Sequence, residues 1–197
     1  MTYELLLALL GYALATSITP GPNNMMLMAS GANFGLRRSL PHMLGISIGH
    51  SVMVFLVGVG LSQLIHQIPA FNITLKILSA AYMLWLAWKI ANAAAPVDGK
   101  VAGRPFTFLQ AAAFQWVNPK AWGMAVTATS YYAPDETVRS YLLVAGVFAA
   151  TNLPSITVWA YAGQSLRQFL TSPERLRTFN FTMAALLVFS LGFVLWH

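Results

Sequence analysis

Thr19-Pro20-Gly21-Pro22-Asn23-Asn24 interrupts the first hydrophobic segment of the chain, Leu5 to Ser30. A segment this apolar is typical of a transmembrane helix, yet two prolines and a glycine cannot sustain an unbroken helical hydrogen-bond ladder. The sequence therefore predicts that the helix opens here. Backbone groups freed at membrane depth need protein, water or a ligand to satisfy them, so the break predicts a buried polar cavity.

The composition is that of an integral membrane protein. Of the 197 residues, 57% are hydrophobic and 8% are charged, which excludes an ordinary soluble domain and a disordered chain. The chain has no cysteine, so disulfide scaffolds, thiol catalysis and iron–sulfur ligation are excluded. Basic residues accumulate in the cytoplasmic loops of membrane proteins, which explains the net charge of +6 without nucleic-acid binding.

Six segments are long and apolar enough to span a membrane, since a span needs about 20 apolar residues. They are Tyr3 to Ser30, Met43 to Ile65, Ile73 to Ile90, Phe108 to Tyr132, Tyr141 to Tyr161 and Phe179 to Trp196. Among the loops, only Ala94 to Pro105 is long and polar enough to be a linker. The N-terminus lacks a basic region and a small-residue cleavage site, so it is expected to be retained as the first span. The sequence predicts an all-α integral membrane protein with a single transmembrane domain over residues 1–197.

The basic residues are distributed unequally between the two ends of these spans. Loops one, three and five hold Arg37, Arg38, Lys89, Lys100, Arg104, Arg167, Arg175 and Arg177, whereas the opposite side holds only Lys76 and Arg139. Because lysine and arginine are enriched on the cytoplasmic side, the odd loops are predicted to be cytoplasmic. Both termini are then periplasmic.

The long third loop predicts two halves of three spans each, about 1–93 and about 105–197. Three is odd, so the halves enter the membrane from opposite sides and form an inverted repeat. The fourth span is interrupted by Gln115-Trp116-Val117-Asn118-Pro119-Lys120, at a depth that matches the break in the first span. Paired proline interruptions at corresponding positions indicate a transporter's midplane binding site. The alternative is that each proline merely kinks a packed helix.

Lys120 is the charged residue that cannot be placed near a membrane surface. It follows Phe108 by about 18 Å of helical rise, roughly half the bilayer core. A buried ammonium group is costly unless it is partnered. The five acidic residues all fall at span ends or in loops: Glu4, Asp98, Asp135, Glu136 and Glu174. Two interpretations stay open: Lys120 binds a substrate carboxylate, or its stem snorkels to the interface.

The other candidate substrate-binding residues flank the two breaks. Their asparagine amides can bind a ligand or cap the helices that resume there. Helix N-termini also favour an anionic group such as a carboxylate. In the fifth span, Thr151-Asn152-Leu153-Pro154 adds a polar residue deep in the bilayer. The predicted set is Pro20, Gly21, Pro22, Asn23, Asn24, Asn118, Pro119, Lys120 and Asn152.

His50 is the candidate for proton coupling, since an unperturbed imidazole titrates at about pH 6.5. A packing histidine is the alternative, and no role is predicted for His42. The neighbouring Gly45 and Gly49, at a spacing of four, predict a close helix–helix contact.

In the third span, Tyr82, Trp85 and Lys89 share one helical face. They are interpreted as an aromatic anchor with a snorkelling lysine at the cytoplasmic interface.

Three stretches together resemble the LysE/RhtB family of bacterial amino-acid exporters. They are Thr19-Pro20-Gly21-Pro22-Asn23-Asn24, the run Ala80-Ala81-Tyr82-Met83-Leu84-Trp85-Leu86-Ala87-Trp88-Lys89, and Asn118-Pro119-Lys120. The resemblance covers essentially the whole chain and is greatest to the branch that exports cysteine and O-acetylserine. It implies a secondary exporter of a small amino acid in the inner membrane, working by proton antiport, with the amino acid and membrane lipid as partners. Many relatives carry an aspartate where this chain has His50, so coupling through a carboxylate at that position is in doubt.

Other functions fit the sequence less well. A passive channel would need a continuous polar-lined pore, and the spans offer few polar side chains outside the breaks. Intramembrane proteolysis would need paired aspartates or a histidine–glutamate metal motif, and ATP-driven export a glycine-rich phosphate loop; the sequence has neither. No enzyme activity, cofactor or metal is therefore expected. An exporter of another small metabolite stays open, as does a homodimer, for which the sequence gives no direct sign.

Overall fold

The computed structural model describes residues 1–61, 70–93 and 104–196, and these ranges are all-helical. In chain order the helices are α1 (Tyr3–Ile18), α2 (Pro22–Phe34), α3 (Leu36–Leu56), α4 (Phe71–Ala91), α5 (Phe108–Gln115), α6 (Pro119–Tyr132), α7 (Val138–Leu166) and α8 (Pro173–Trp196). A short π-helical turn, Val57–Leu61, continues α3. Most of the predicted linker Ala94 to Pro105 lies outside the described residues, as does the end of the second predicted span, Met43 to Ile65.

The helix starts follow from capping residues in the sequence. Thr2, Thr107 and Thr137 precede α1, α5 and α7, and the hydroxyl oxygen of each accepts a backbone N–H from the first turn at 3.2 to 3.3 Å. Gly35, with φ +80°, separates α2 from α3 in a conformation that favours glycine. These local signals fix where the apolar segments become helical.

Three helical stretches of the described residues are long and apolar enough to cross a membrane: Leu36–Leu61, Ile73–Ala91 and Val138–Leu166. Helices α1 and α2 add a fourth if they form one bent span, since their axes differ by 55°. Helix α5 has only 8 residues and α6 has 14, so neither reaches the length of about 20 that a span needs. The arrangement of six spans as two inverted repeats therefore stays a prediction.

The two proline-containing sequences coincide with helix boundaries. Helix α1 ends at Ile18 and α2 begins at Pro22, while α5 ends at Gln115 and α6 begins at Pro119. Proline suits the first position of a helix because the N–H it lacks has no intrahelical partner there. The chain therefore ends one helix and starts another at each site, which leaves the last carbonyls of α1 available to side chains.

Helix α7 packs against α1, α2 and α3, and α3 in turn packs against α5. Glycines make two of these contacts close. A Cβ atom on Gly45 or Gly49 would overlap the α5 backbone at Phe108 or Ala112, which confirms the contact predicted from their spacing. A second close crossing joins α2 to α7, where a Cβ on Gly163 would overlap the carbonyl oxygen of Met28.

We expect Gly163→Ala to lower the stability of the protein, because the overlapping atom is backbone and cannot move aside as a side-chain tip would. Overpacking of this kind costs about 1–3 kcal/mol. Gly146→Ala is the matched control on the same helix, since a Cβ there meets nothing within 4 Å. Thermal unfolding of the two variants in detergent measures the difference. Equal melting temperatures would contradict the close α2–α7 contact.

Candidate functional site

A small polar cavity lies where the two helix breaks meet. Its lining comes from α1, α2, α3, α6, α7 and both breaks: Thr16, Ser17, Gly21, Asn23, Asn24, His50, Asn118, Lys120, Ala121, Met124, Asn152 and Ile156. Six of the predicted binding residues are in this set, and so is His50. The other three, Pro20, Pro22 and Pro119, lie in the breaks themselves and shape the backbone there. Centres of water-sized molecules have only about 20 Å³, which is room for about one water.

The ammonium group of Lys120 crosses from the second break to the first. Its Nζ donates to the carbonyl oxygen of Thr19 at 3.0 Å, to the hydroxyl oxygen of Thr19 at 3.0 Å and to the carbonyl oxygen of Pro20 at 3.3 Å. A Cβ on Gly21 would lie 3.0 Å from Cδ of Lys120. Glycine at position 21 therefore lets the lysine stem pass closely over the first break.

All three oxygens that Lys120 contacts are neutral. No aspartate or glutamate is among the residues that line the cavity. Neutral oxygens do not cancel the charge of an ammonium group, and in a cavity of low dielectric that charge attracts an anion strongly. The cavity is therefore chemically suited to a carboxylate.

Asn24 and Asn118 serve the capping role that the sequence left open. Nδ2 of Asn24 donates to the carbonyl oxygens of Ser17 at 2.9 Å and of Thr19 at 2.7 Å, which satisfies the C-terminal end of α1. Oδ1 of Asn118 accepts the backbone N–H of Lys120 at 3.2 Å and caps α6. Helix α2, by contrast, has no side-chain cap, so its N-terminal amides stay available to a ligand.

Asn23 pairs with Gln115 across the two breaks. Nδ2 of Asn23 donates to Oε1 of Gln115 at 2.9 Å, and Nε2 of Gln115 donates back to Oδ1 of Asn23 at 3.1 Å. Gln115 is completely buried and also donates to the carbonyl oxygen of Ala111 at 2.9 Å. Gln115 lies in the predicted second break but is not among the predicted binding residues. The signal that could have found it is its place in that break, at a depth that matches the break in the first span.

Three residues bring unpartnered polar atoms to the cavity wall. Oγ of Ser17, both ring nitrogens of His50 and Oδ1 of Asn152 are buried and have no hydrogen-bond partner among the described residues. His50 is 1% exposed, and its ring packs edge-on against Phe148 with centroids 5.1 Å apart. Buried polar atoms without partners are costly. Their convergence on one cavity indicates a ligand or water that completes their hydrogen bonds.

Apolar helices around a polar and incompletely satisfied cavity are the features of a membrane transport protein. A family model described as LysE type translocator matches residues 14–197. The chain belongs to this family. It is therefore a multi-pass inner-membrane transporter and not an enzyme.

Curated relatives resemble the chain over nearly its full length. A cysteine/O-acetylserine efflux protein of Klebsiella pneumoniae subsp. pneumoniae is 35% identical over 196 residues, covering 96% of both chains. The proteins of the same name from Escherichia coli strain K12 and Shigella sonnei are each 34% identical over 192 residues, again with 96% of both chains covered. No solved structure matches the chain.

Proposed function

We propose that the chain is a secondary active exporter of a small neutral amino acid, such as cysteine or O-acetylserine, across the bacterial inner membrane by proton antiport. The observation that carries the proposal is the Lys120 ammonium group, which is held only by neutral oxygens in a polar cavity. The names of the curated relatives support the substrate class.

In the proposed binding mode, the substrate carboxylate takes Lys120 as its charged partner. The uncapped amides at the start of α2 face the same cavity and add favourable dipoles for an anion. The substrate ammonium group then donates to the unpartnered oxygens of Ser17 and Asn152. Each end of a zwitterion thus meets a group of the complementary kind, and an amine or an acid alone would satisfy only one end.

The apolar part of the wall limits the substrate side chain. Ala121, Met124 and Ile156 are buried and complete the cavity lining. In the proposed binding mode the substrate side chain packs against these residues, so a larger side chain needs a larger displacement of α6 or α7. The cavity also holds only about one water, so it must enlarge to admit an amino acid.

The proposal places the site between two inverted repeats, about 1–93 and about 105–197. Helices α1 and α2 form the interrupted first span, and α5 and α6 form the interrupted fourth. A site at the interface of two such repeats is reached from alternate sides when one repeat rocks against the other. The pairing of Asn23 with Gln115 would then link the two repeats beside the substrate.

The orientation proposed from the basic residues can be tested with reporters. We expect a reporter fused after His197 to be periplasmic and one inserted near Asp98 to be cytoplasmic, because basic loops stay on the cytoplasmic side. Alkaline phosphatase, active only outside the cytoplasm, and a fluorescent protein that matures inside measure the two positions. Finding both reporters in the cytoplasm would contradict the inverted repeat.

Efflux from membrane vesicles tests the function directly. A panel of labelled amino acids is loaded, and efflux is followed with and without an imposed pH gradient. The proposal expects cysteine and O-acetylserine to move against their own gradients when the pH gradient is present. A passive channel would only equilibrate the label. If no amino acid in the panel is exported, the alternative function is export of another small metabolite.

A further inference from the structure

A second cavity lies at the opposite end of α2 from the Lys120 cavity. Its wall is formed by the C-terminal half of α2, by the end of α4 and by the segment that precedes α5, including Asn33, Lys89, Arg104 and Phe106. Centres of water-sized molecules have about 40 Å³ here, against about 20 Å³ in the Lys120 cavity. Neither the hydrogen bonds of the Lys120 site nor its lining involves these residues.

Among the described residues, two cations line this cavity and no carboxylate does. Nζ of Lys89 lies 4.3 Å from the ring centroid of Phe106 and 5.2 Å from that of Trp85. Aromatic faces hold a cation without neutralising it. Arg104 has no hydrogen bond or ion pair with any described residue. Lys89 lies over Trp85, in agreement with the predicted aromatic anchor, and it also lines a cavity in which a second cation adds positive charge.

The neutral groups of this cavity are already satisfied. Asn33 and Asn180 form a buried reciprocal amide pair at 2.7 and 3.1 Å, and the hydroxyl groups of Ser30 and Ser39 pair at 2.7 Å. The groups left to act on a ligand are therefore the two cations. This pattern favours a ligand with an anionic group such as a carboxylate.

The second cavity lies inside the helix bundle, further along α2 than the Lys120 cavity. Asn24 and Asn33 lie on the two cavities and are separated by about 13 Å of helical rise along α2. Met26, Ala29 and Asn33 are buried in the helix bundle, so the wall on α2 is internal and does not face lipid. In the proposed orientation, this cavity is on the cytoplasmic side of the Lys120 site.

We propose that the second cavity is a cytoplasmic entry subsite, in which Lys89 and Arg104 bind the carboxylate of the amino acid before it reaches Lys120. The inference rests on the proposed function and adds a second binding step to it. Two cations that line one cavity, with no carboxylate among the described lining residues, repel each other, and a substrate carboxylate relieves that repulsion. The subsite concentrates substrate at the inner mouth of the transporter and leaves the turnover step to the Lys120 cavity.

The experiment compares transport from the two faces of the membrane. Exchange of the amino acid that the vesicle panel transports best is measured with substrate offered to the cytoplasmic face of inside-out vesicles or the periplasmic face of right-side-out vesicles. We expect Lys89→Gln and Arg104→Gln to raise the KM from the cytoplasmic face about fivefold, because each substitution removes a cation that binds the substrate carboxylate. The KM from the periplasmic face and the maximal rate should not change, and Lys89→Arg should retain the low KM.

Lys76→Gln is the matched control, because it removes the same charge from the other end of α4, and it should change neither KM. An unchanged KM in the Lys89 and Arg104 variants, or an equal rise from both faces, overturns the entry subsite. The comparison is repeated in liposomes with and without phosphatidylglycerol. A rise in KM seen only with this lipid assigns Lys89 and Arg104 to a lipid headgroup and also overturns the entry subsite. If Asp98→Asn alone raises the KM from the cytoplasmic face to the same extent, the entry subsite is also wrong.

The entry subsite and the proposed function fail in different ways. Normal export by Lys120→Met contradicts the Lys120 site, and the face-dependent KM of Lys89→Gln can still be measured. If Lys120→Met loses export but Lys89→Gln changes the KM equally from both faces, the Lys120 site is supported and the entry subsite is wrong.

Discussion

Lys120→Met should abolish export while the protein stays folded. The substitution removes the ammonium group proposed to bind the substrate carboxylate, and methionine retains much of the stem that passes over Gly21. The fold loses little, because the removed charge had no carboxylate partner and its desolvation cost disappears with it. The carbonyl oxygen of Thr19 also keeps its hydrogen bond from Asn24 at 2.7 Å.

Two further comparisons separate a carboxylate anchor from a structural lysine. Lys120→Arg should retain weak activity at best, because a planar guanidinium group replaces a point charge in a tight site. Decarboxylated analogues should not compete with labelled substrate, whereas analogues altered only in the side chain should compete to varying degrees. Competition is measured as inhibition of efflux from vesicles, and folding as thermal unfolding in detergent.

Lys76→Met is the matched control for removal of a lysine charge outside the cavity, and its export should be normal. If Lys120→Met exports at the normal rate and amine-only analogues compete well, the carboxylate anchor is wrong. Lys120 would then be the snorkelling residue that the sequence left as the alternative.

The part of the site that the sequence predicted is the part fixed by local rules. Proline cannot continue a helix, so Pro22 and Pro119 mark helix starts, and the residues beside them line the cavity. Lys120 could be selected because a buried charge without a carboxylate is rare in any membrane protein. Both arguments need only the sequence near the residue and the positions of the acidic residues.

The part that the sequence did not predict depends on how distant helices meet. The Asn23–Gln115 pair joins residues 92 positions apart, and the local sequence does not predict which residues of the two breaks meet. The same holds for Thr19, whose carbonyl and hydroxyl oxygens hold Lys120. Lys89 shows the reverse case: its aromatic neighbours were predicted to anchor it at the interface, but the cavity beside it depends on the fold around Arg104.

His50→Ala should abolish export driven by a pH gradient but leave exchange of substrate for substrate. His50 is the cavity residue whose ordinary titration lies nearest neutral pH, and both its nitrogens are unpartnered among the described residues. A proton can therefore pass between its ring and water or substrate in the cavity. Exchange needs no net proton movement, so only the driven mode depends on the imidazole group.

The His50 experiment needs a variant that keeps a polar side chain and one that removes a different imidazole. His50→Gln retains hydrogen-bonding atoms but cannot titrate, so it should also lose driven export. His42→Gln is the matched control, since His42 is equally buried on α3 and its ring nitrogens have no hydrogen-bond partner among the described residues, but it does not line the Lys120 cavity. Driven export and exchange are measured with labelled substrate in vesicles with and without a pH gradient. The ratio of the two rates in His42→Gln should equal that of the unmodified protein. Driven export that persists in both His50 variants would reduce His50 to a packing residue against Phe148 and require the proton to bind elsewhere.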